Sequence, residues 1–299
     1  MEKLSDKIKN AVLYAKSVTF KEYLSSFVNL AKNPKKLRAC ISFCLNTQSY
    51  TPEIPAPVKG IVIKIPKYGV SLLSSGKSDI ASIVTVFFSE IYKVSLKNDT
   101  IVIDIGYHIG SAALYFALNK NVEHIYSFEP FKENFAHAAY NLSLNPSLAK
   151  KITAYNYGLS DKDETFDISY TASASDYATT CKDLEKDVLK ACNAVNPEVL
   201  KSKVVLKRAD EEISRIINLH PNKKIILKAN CEGAEYAIFD LLNQKGILKN
   251  IDIVMLEWHY KGPQKLLDIL NANNFTSRCQ NVFTFGGFIY AQKKEVQNA

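Results

Sequence analysis

IVIDIGYHIGSAALYFAL, residues 101–118, is the stretch that decides the fold of this chain. Residues 101–105 are a short apolar run with a single acid, Asp104, and this pattern predicts a strand that is buried on both faces of a parallel sheet. Gly106 and Gly110 follow, and apolar residues then recur at helical spacing. The order of strand, glycine turn and helix predicts an α/β fold with a Rossmann-like, doubly wound, mostly parallel sheet.

The spacing of the glycines indicates which ligand the turn binds. The dinucleotide fingerprint is G-x-G-x-x-G, whereas here three residues separate Gly106 from Gly110 and position 108 is a histidine. The middle glycine that admits a pyrophosphate is missing, which argues against a nicotinamide dehydrogenase. An acid just before the first glycine suits a cationic ligand with an amino-acid tail, and S-adenosylmethionine is such a ligand. The alternative is a strand-to-helix turn without a ligand.

Length and composition are those of an ordinary globular protein. The chain has 299 residues, of which 47% are hydrophobic and 23% are charged, so it can form one large domain with an extension. The sequence TPEIPAP at 51–57 is a proline-rich joint. We therefore expect a helical, basic N-terminal extension at 1–57 and a Rossmann-like domain at 58–299.

The positive charge is concentrated at the N-terminus. Residues 1–50 contain nine Lys or Arg and three acids, which accounts for +6 of the formal net charge of +8. The other 249 residues are nearly neutral, so we expect no nucleic-acid partner for the main domain. The basic N-terminus is suited to peripheral contact with a membrane, a glycolipid carrier or a partner protein. A solvated helical cap is the alternative.

The six cysteines predict neither a disulfide framework nor a metal site. They are scattered, with no C-x-x-C pair and no zinc spacing, and we expect no metal ligand set. Reduced thiols are typical of a cytoplasmic protein. The N-terminus has no continuous apolar stretch of signal-peptide type, and no segment approaches the length of a membrane span.

The rest of the chain alternates between strand-like and helix-like patterns. Helices are predicted before residue 46, with Pro34 starting the last of them, and a hairpin at 60–75 and a helix at 79–94 follow. Further strands are predicted at 123–128, 151–157, 203–208, 224–229 and 251–258, helices at 131–144, 232–243 and 263–272, and an antiparallel pair at 275–291. The irregular residues 162–200 are typical of an insertion that covers a substrate site.

Polar residues follow the predicted core strands, where open α/β sheets bind their ligands. Glu129 lies 25 residues after Asp104 at the tip of the second strand, where an acid can accept hydrogen bonds from ribose hydroxyls. We expect Asp104 to act on the amino group of the ligand and to hold the loop. Glu257 lies in an apolar strand, so a structural partner such as Lys228 is expected.

Five motifs occur in an order that resembles the FkbM-type methyltransferases, a branch of the class I S-adenosylmethionine-dependent enzymes. They are VIDIGYHIG, YSFEP, NYGLSDKDETF, LKANCEGAEYAIFDLL and VMLEWH. The resemblance covers roughly residues 60–290 and implies a methyltransferase domain at 58–299. It further implies an S-adenosylmethionine-dependent O-methyltransferase acting on a hydroxyl of a sugar, glycan or related small molecule.

The resemblance assigns one set of residues to the cofactor. These are Asp104, Gly106, His108, Gly110, Glu129, Pro130, Leu159, Ser160 and Asp161. The last three match an L-S-D motif in the loop that borders the adenine in this class. His108 stands where the family usually has Asn, and its imidazole can still donate or accept a hydrogen bond.

The catalytic candidates follow the fourth and fifth core strands. The family motif K-x-D-x-E-G-x-E falls on 228–235, and Asn230 stands where the family has Asp, at the strand end nearest the transferred methyl. An amide cannot act as a base, so Glu232 and His259 are the candidates for that role, and Asn230, Glu232 and His259 form the predicted catalytic set. Glu232 can also be a helix-start acid, and His259 a hydrogen-bonded loop residue.

Several alternatives stay open at this point. Asn230 motivates a second hypothesis, a non-catalytic cofactor-binding or scaffold protein of the same fold. The basic N-terminus motivates a third, a nucleic-acid methyltransferase, which the nearly neutral main domain argues against. Trp258 and Tyr260 can stack on a sugar or pack in the core. The remaining histidines, among them His137, show no constellation and receive no role.

Overall fold

The computed structural model describes residues 34–50, 60–171, 199–283 and 286–294. Its helices are α1 (Pro34–Asn46), α2 (Lys77–Ile83), α3 (Ser111–Ala117), α4 (Lys132–Ser143), α5 (Pro146–Ala149), α6 (Ala209–Leu219), α7 (Glu235–Gln244) and α8 (Gln264–Ala272). Its strands are β1 (Gln48–Tyr50), β2 (Ile61–Ile65), β3 (Val70–Ser74), β4 (Thr100–Ile105), β5 (Val122–Phe128), β6 (Ile152–Tyr155), β7 (Gly158–Ser160), β8 (Glu164–Thr171), β9 (Val199–Arg208), β10 (Lys224–Ala229), β11 (Ile253–His259), β12 (Phe275–Phe283) and β13 (Gly286–Lys293).

Three sequence-based predictions lie outside the described residues. They are the helices before Pro34, the proline-rich joint at 51–57, and the part of the predicted insertion at 172–198. The domain boundary at 57/58 therefore stays a prediction. β1, which precedes that boundary, pairs antiparallel with β2, which follows it.

A seven-stranded sheet in the order β12-β13-β11-β10-β4-β5-β6 forms the centre of the molecule. β11, β10, β4, β5 and β6 run parallel, and β13 and β12 add an antiparallel pair at one edge. The predicted doubly wound, mostly parallel α/β fold is thereby confirmed. The chain builds outward from β4 in one direction and from β10 in the other, so the topological switch point lies between these two strands.

The two faces of the sheet pack against different layers. On the first face, Val102, Ile226 and Met255 pack in a core with Phe87 and Phe116. On the second face, the alternate residues of the same strands, such as Ile103 and Leu227, pack in a core that includes Phe239 of α7 and Ile213 of α6. Burial of each such side chain stabilises the fold by about 1.5–3 kcal/mol, so both cores hold β4 in place.

Strands β1, β2 and β3 form a separate sheet whose outer edge contacts α4. His137 and Asn141 of α4 and Asn145 just beyond it are spaced by four residues, and we call them the polar ladder. His137 Nε2 lies 3.0 Å from Leu73 O, Asn141 Oδ1 accepts from Leu73 N at 2.7 Å, and Asn145 bonds both N and O of Ser71. His137, to which the sequence assigned no role, therefore has a structural one.

Two predicted helices have different boundaries in the structure. The helix predicted at 79–94 is α2 followed by a π-helical turn, Val84–Phe88, and the chain then leaves the helical conformation at Glu90, whose φ is +50°. The helix predicted from 232 begins at Glu235, because Glu232 and Gly233 have φ of +50° and +106°. A right-handed helix cannot pass through two left-handed residues.

Two further observations complete the fold. The predicted strand at 203–208 is part of β9, which lies in a small third sheet with β7 and β8 rather than in the central sheet. Within the described ranges, no helix combines the length and the apolar composition that a membrane crossing requires.

Candidate active site

At the carboxyl ends of β4, β10 and β11, the side chains on the first face of the sheet are polar or charged. Side chains alternate between faces along a strand, so Asp104, Lys228 and Asn230 continue the face of Val102 and Ile226, and Glu257 and His259 continue that of Met255. This edge borders the topological switch point, where ligands of such sheets bind. The structure thus brings predicted residues from three strands onto one face.

The carboxylate of Asp104 binds groups of the protein. Asp104 is fully buried; its Oδ1 lies 2.7 Å from Lys228 Nζ, and its Oδ2 accepts from Ser127 Oγ at 3.1 Å. Lys228 Nζ also donates to the carbonyl oxygens of Gly106, at 2.6 Å, and Ile105, at 3.2 Å. The ion pair neutralises Asp104 and fastens the start of the glycine turn, in line with the loop-holding role predicted for Asp104.

The glycine turn needs its glycines for close backbone contact. Gly106 and Gly110 have φ of +84° and +82°, and a Cβ on Gly106 would lie 1.7 Å from Asn230 O. The turn after β4 therefore packs directly on the chain after β10. His108, with φ of +49°, is left-handed as well, and its Nε2 lies 3.8 Å from Asp79 Oδ1. The imidazole at the family's Asn position thus faces α2.

Glu129 lies at the tip of β5 against this turn. Its Oε2 accepts from His108 N at 2.7 Å, and its Oε1 accepts from Phe131 N at 3.0 Å and from Asn134 Nδ2 at 3.4 Å. Burial raises the pKa of Glu129 to about 7, although these donors favour the ionised form. A carboxylate has about four acceptor positions, so one remains for a hydroxyl donor.

The other residues assigned to the cofactor border the same edge. A Cβ on Gly158 would lie 3.2 Å from Pro130, so the E-P turn contacts the start of the segment that contains Leu159, Ser160 and Asp161. Leu159 and Ser160 are buried and Asp161 is exposed. The hydroxyl of Tyr107, in the glycine turn, is buried and has no hydrogen-bond partner among the described residues. These features fit a ligand with polar groups along this edge.

His259 lies between two carboxylates. Its Nδ1 is 3.2 Å from Glu235 Oε1 and its Nε2 is 3.2 Å from Glu232 Oε1. Burial lowers the pKa of His259, but the two carboxylates outweigh burial and hold this pKa well above its ordinary value of 6.5. The two carboxylates therefore favour the protonated, cationic form of the imidazole. The predicted candidates Glu232 and His259 are brought into contact.

Glu235 holds His259 and the turn at residues 232–233 in place through hydrogen bonds to their backbone. Its carboxylate is fully buried and accepts from His259 N at 2.7 Å and from Gly233 N at 2.8 Å. The left-handed conformations of Glu232 and Gly233 wrap the chain around that carboxylate. Non-glycine residues held at positive φ concentrate at functional sites, and Glu232 is one of them.

Asn230 and Glu257 form a second contact pair. Asn230 Nδ2 donates to Glu257 Oε2 at 2.8 Å, and the Asn230 side chain also interacts with the hydroxyl of Tyr92. Burial raises the pKa of Glu257 to about 7; His259 and Lys228 oppose the shift, and Glu232 adds to it. The expected partner of Glu257 was Lys228, but Lys228 pairs with Asp104, so that prediction is corrected to Asn230.

Aromatic residues at this edge have different positions from those considered in the sequence. Trp258 is buried in the second-face core, which supports packing rather than sugar stacking. Tyr92, which no sequence motif indicated, lies buried beside Asn230, and burial followed by the charges of Glu257 and Asp104 raises its pKa. Tyr92 follows an irregular segment after the π-helical turn, so no strand-end rule could have found it.

The described residues contain no group of three or more His, Cys, Asp or Glu side chains arranged to hold a metal ion. The ionisable residues at the carboxyl edge are instead paired with one another or with amides. The arrangement can therefore hold and move a proton, and it lies beside a turn that can bind an elongated polar ligand.

Comparison with known proteins connects this geometry to a family. The sequence model of the family described as "Methyltransferase FkbM domain" matches residues 104–279, which is more than half of the chain. The match contains both the glycine turn and the acidic strand ends. A search of curated proteins finds no match.

Many solved structures are similar in fold. A methyltransferase FkbM from Methylobacillus flagellatus is 13% identical, with a TM-score of 0.43 over 70% of this chain and 52% of that chain. A putative rRNA-methylase from Clostridium thermocellum is 11% identical, with a TM-score of 0.38 over 72% of this chain and 95% of that chain. TrmK from M. capricolum in complex with S-adenosyl-homocysteine is 10% identical, with a TM-score of 0.34 over 67% of this chain and 65% of that chain. The chain spans about half the length of the first of these structures.

Proposed function

Because the chain belongs to the FkbM methyltransferase family, we propose that it transfers the methyl group of S-adenosylmethionine to a hydroxyl of a sugar, glycan or related small molecule. The observation that carries the proposal is the cluster of ionisable side chains beside the glycine turn. Transfer to a hydroxyl is assisted by a group that accepts the hydroxyl proton. The cluster supplies several such groups on one edge of the sheet.

The cofactor-binding part of the proposal rests on the turn and the strand tips. When bound, S-adenosylmethionine supplies an electrophilic methyl group on a sulfonium sulfur. The turn of residues 106–110 holds its amino-acid part, and Glu129 accepts a hydrogen bond from a ribose hydroxyl with its remaining acceptor position. Pro130 and residues 159–161 border the adenine.

The acceptor side of the proposal rests on the charges after β10 and β11. Much of the acceleration of methyl transfer comes from holding the acceptor oxygen close to the methyl group and in line with it. Glu232 and Glu235 contact the two ring nitrogens of His259 and favour its protonated form, so His259 is poorly suited to accept the acceptor's proton. The acceptor's proton therefore passes to a carboxylate, and His259 serves to position Glu232.

We propose that the protein acts in a reducing compartment and close to a membrane surface. The six cysteines are scattered along the sequence without a C-x-x-C pair, which supports a reducing compartment such as the cytoplasm. The basic N-terminus, of which residues 1–33 lie outside the described part, is proposed to contact a membrane surface or a lipid-linked carrier.

Calorimetric titration tests the cofactor. We expect the purified protein to bind S-adenosylmethionine and S-adenosylhomocysteine but not NAD, and Glu129→Gln to weaken binding of the first two at least tenfold. Glu123→Gln is the matched control, because Glu123 lies near the start of the same strand, where it forms an exposed pair with Lys223. Equal binding by both variants would refute the role of Glu129, and tight NAD binding would refute the cofactor.

Product analysis tests the acceptor class. The protein is incubated with methyl-labelled cofactor and a panel of sugars, glycans and amines, and the labelled bond is identified by mass spectrometry. Methyl ethers are the expected products. Labelled N-methyl products alone would overturn the proposed hydroxyl chemistry and leave the family assignment standing.

The alternative of a non-catalytic scaffold is motivated by Asn230 alone. It predicts that the wild-type protein binds the cofactor but transfers no methyl group, and that Asn230→Asp creates activity. Turnover by the wild-type protein in the product assay would exclude this alternative.

A further inference from the structure

Asn230 and Glu257 occupy neighbouring positions just where β10 and β11 stop pairing. Ala229 lies opposite Leu256 in the parallel register, so the next residues, 230 and 257, are side by side on the first face of the sheet. Asn230 Nδ2 lies 2.8 Å from Glu257 Oε2. An Asp at 230 would bring two carboxylates together, and like charges at this distance repel.

Glu257 is the residue of β11 that remains accessible. The other six residues of this fully described strand are buried, whereas Glu257 is partly exposed. Its side chain lies on the face that carries Asp104 and Lys228. This position therefore keeps some contact with solvent and is still largely surrounded by protein.

The other ionisable groups of the cluster are held in ion pairs. Lys228 pairs with Asp104, and His259 pairs with Glu232 and Glu235. Among the described residues, Glu257 forms no ion pair, and its hydrogen bond comes from the neutral amide of Asn230. A cation in contact would weaken the ability of Glu257 to take a proton; Lys228 and His259 oppose the rise of its pKa without forming such a contact.

We propose that Glu257 accepts the proton of the acceptor hydroxyl and that Asn230 is the positioning residue that holds the carboxylate of Glu257. This proposal rests on the proposed methyl transfer. The base of this site lies on β11 instead of at the β10 position where the family motif has Asp. The acceptor's O–H bond breaks and its proton passes to Glu257. The electron pair on oxygen forms the bond to the methyl group, and the former bonding pair of the methyl group stays on sulfur.

The protonation behaviour of Glu257 agrees with this role. Burial raises its pKa to about 7, and a general base works best when its pKa lies near the working pH. Tyr92, whose hydroxyl interacts with the Asn230 side chain, borders the pair. Asn230 donates its N–H to Oε2, which leaves the other carboxylate oxygen to take the acceptor's proton.

An exchange of the two side chains tests the proposal. Glu257→Gln is expected to lower kcat about 10²–10⁴-fold, and Asn230→Asp is expected to lower kcat at neutral pH and to shift the activity profile to higher pH. The double variant Asn230→Asp/Glu257→Gln restores an amide and a carboxylate in contact, and we expect it to recover activity to within about tenfold of wild type. A double variant no more active than Glu257→Gln would overturn the proposal, as would full activity of Glu257→Gln.

A second measurement needs neither turnover nor cofactor. Carbon NMR of labelled glutamate carboxyl groups in the free protein is expected to show two that titrate near pH 7, those of Glu129 and Glu257. The Glu257 signal is the one that is absent in Glu257→Gln and that moves to higher pH in Asn230→Asp. Titration of Glu257 at the ordinary pH of about 4.5 would overturn the proposal even if a variant failed to fold. Asp268→Asn, an exposed change on α8, is the control for both experiments.

The two proposals fail in different ways. If the wild-type protein neither binds S-adenosylmethionine in calorimetry nor transfers a methyl group, the proposed function fails. If the wild-type protein and Glu257→Gln transfer the methyl group equally well and bind the cofactor equally, only the role of Glu257 fails. Loss of turnover in Glu257→Gln with unchanged cofactor affinity supports both.

Discussion

The two faces of the central sheet are built from alternate residues of the same strands, yet they end differently. On the second face, Ile105, Ala229, Leu256 and Trp258 keep the strands apolar up to their carboxyl ends. On the first face, the last positions carry charged and amide side chains, among them the buried pair of Asp104 and Lys228. Stability and chemistry are thus divided between the faces.

The division has an energetic reason. Moving a charge from water into the protein interior costs several kcal/mol unless it is paired and hydrogen-bonded. Asp104 and Lys228 meet this requirement through each other, through Ser127 and through the carbonyl oxygens of the glycine turn. The first face can hold charges because the second face and the helices behind it supply uninterrupted hydrophobic burial.

The largest effect is expected from removal of a charge on the first face. Lys228→Met leaves Asp104 buried without its cation, which costs about 3–5 kcal/mol of unfolding free energy, measured by urea denaturation. The double variant Asp104→Asn/Lys228→Met is expected to regain most of that loss. Lys224→Met, the same change at the exposed start of β10, is the control, expected to cost less than about 1 kcal/mol. Equal losses for both lysines would show that the buried pair has no special role.

A somewhat smaller effect is expected from a cavity on the second face. Leu256→Ala removes a buried side chain from the core with Phe239, and it is expected to cost about 2–4 kcal/mol of unfolding free energy. Because the change lies on the face away from the site, the affinity for S-adenosylmethionine measured by calorimetry should stay within about twofold at temperatures where the variant is folded. A large loss of affinity with a small loss of stability would contradict the division between the faces.

The smallest effect concerns the pH dependence of stability. The folded-state pKa of Glu129 is about 7, above its ordinary value of 4.5, so the folded protein binds more protons than the unfolded chain between these values. The wild type should therefore lose stability as the pH rises from 4.5 to 7. Denaturation at pH 5 and pH 7.5 should show a shallower decline in Glu129→Gln, by about 2 kcal/mol. An unchanged slope would mean that Glu129 titrates normally in the folded protein.

The sequence predicted the central sheet because its strands are apolar on both faces. The predicted strands at 101–105 and 224–229 agree with the bounds of β4 and β10 to within one residue. Such continuous apolar segments are typical of a parallel sheet that is covered on both faces. The family motifs then put the acidic residues at the carboxyl edge, where the structure has them. Local composition was sufficient for these elements.

Contacts within the site depended on register and could not be derived from composition. Lys228 and Glu257 are both on the first face, but Lys228 lies opposite Asp104 on one side and Met255 on the other. Glu257 is two residues further along, so its neighbour is Asn230. A small shift in the register between neighbouring strands decides which side chains meet, and a single sequence does not specify that register.

The polar ladder has a consequence for how the protein behaves in a crowded solution. A strand at the edge of a sheet presents unpaired N–H and C=O groups, and these can recruit a strand from another chain and start aggregation. On the open side of β3, the groups of Ser71 and Leu73 bond to His137, Asn141 and Asn145. A helix that supplies hydrogen bonds through its side chains ends the sheet on this side without offering a new edge, and so it protects β3 from intermolecular strand pairing.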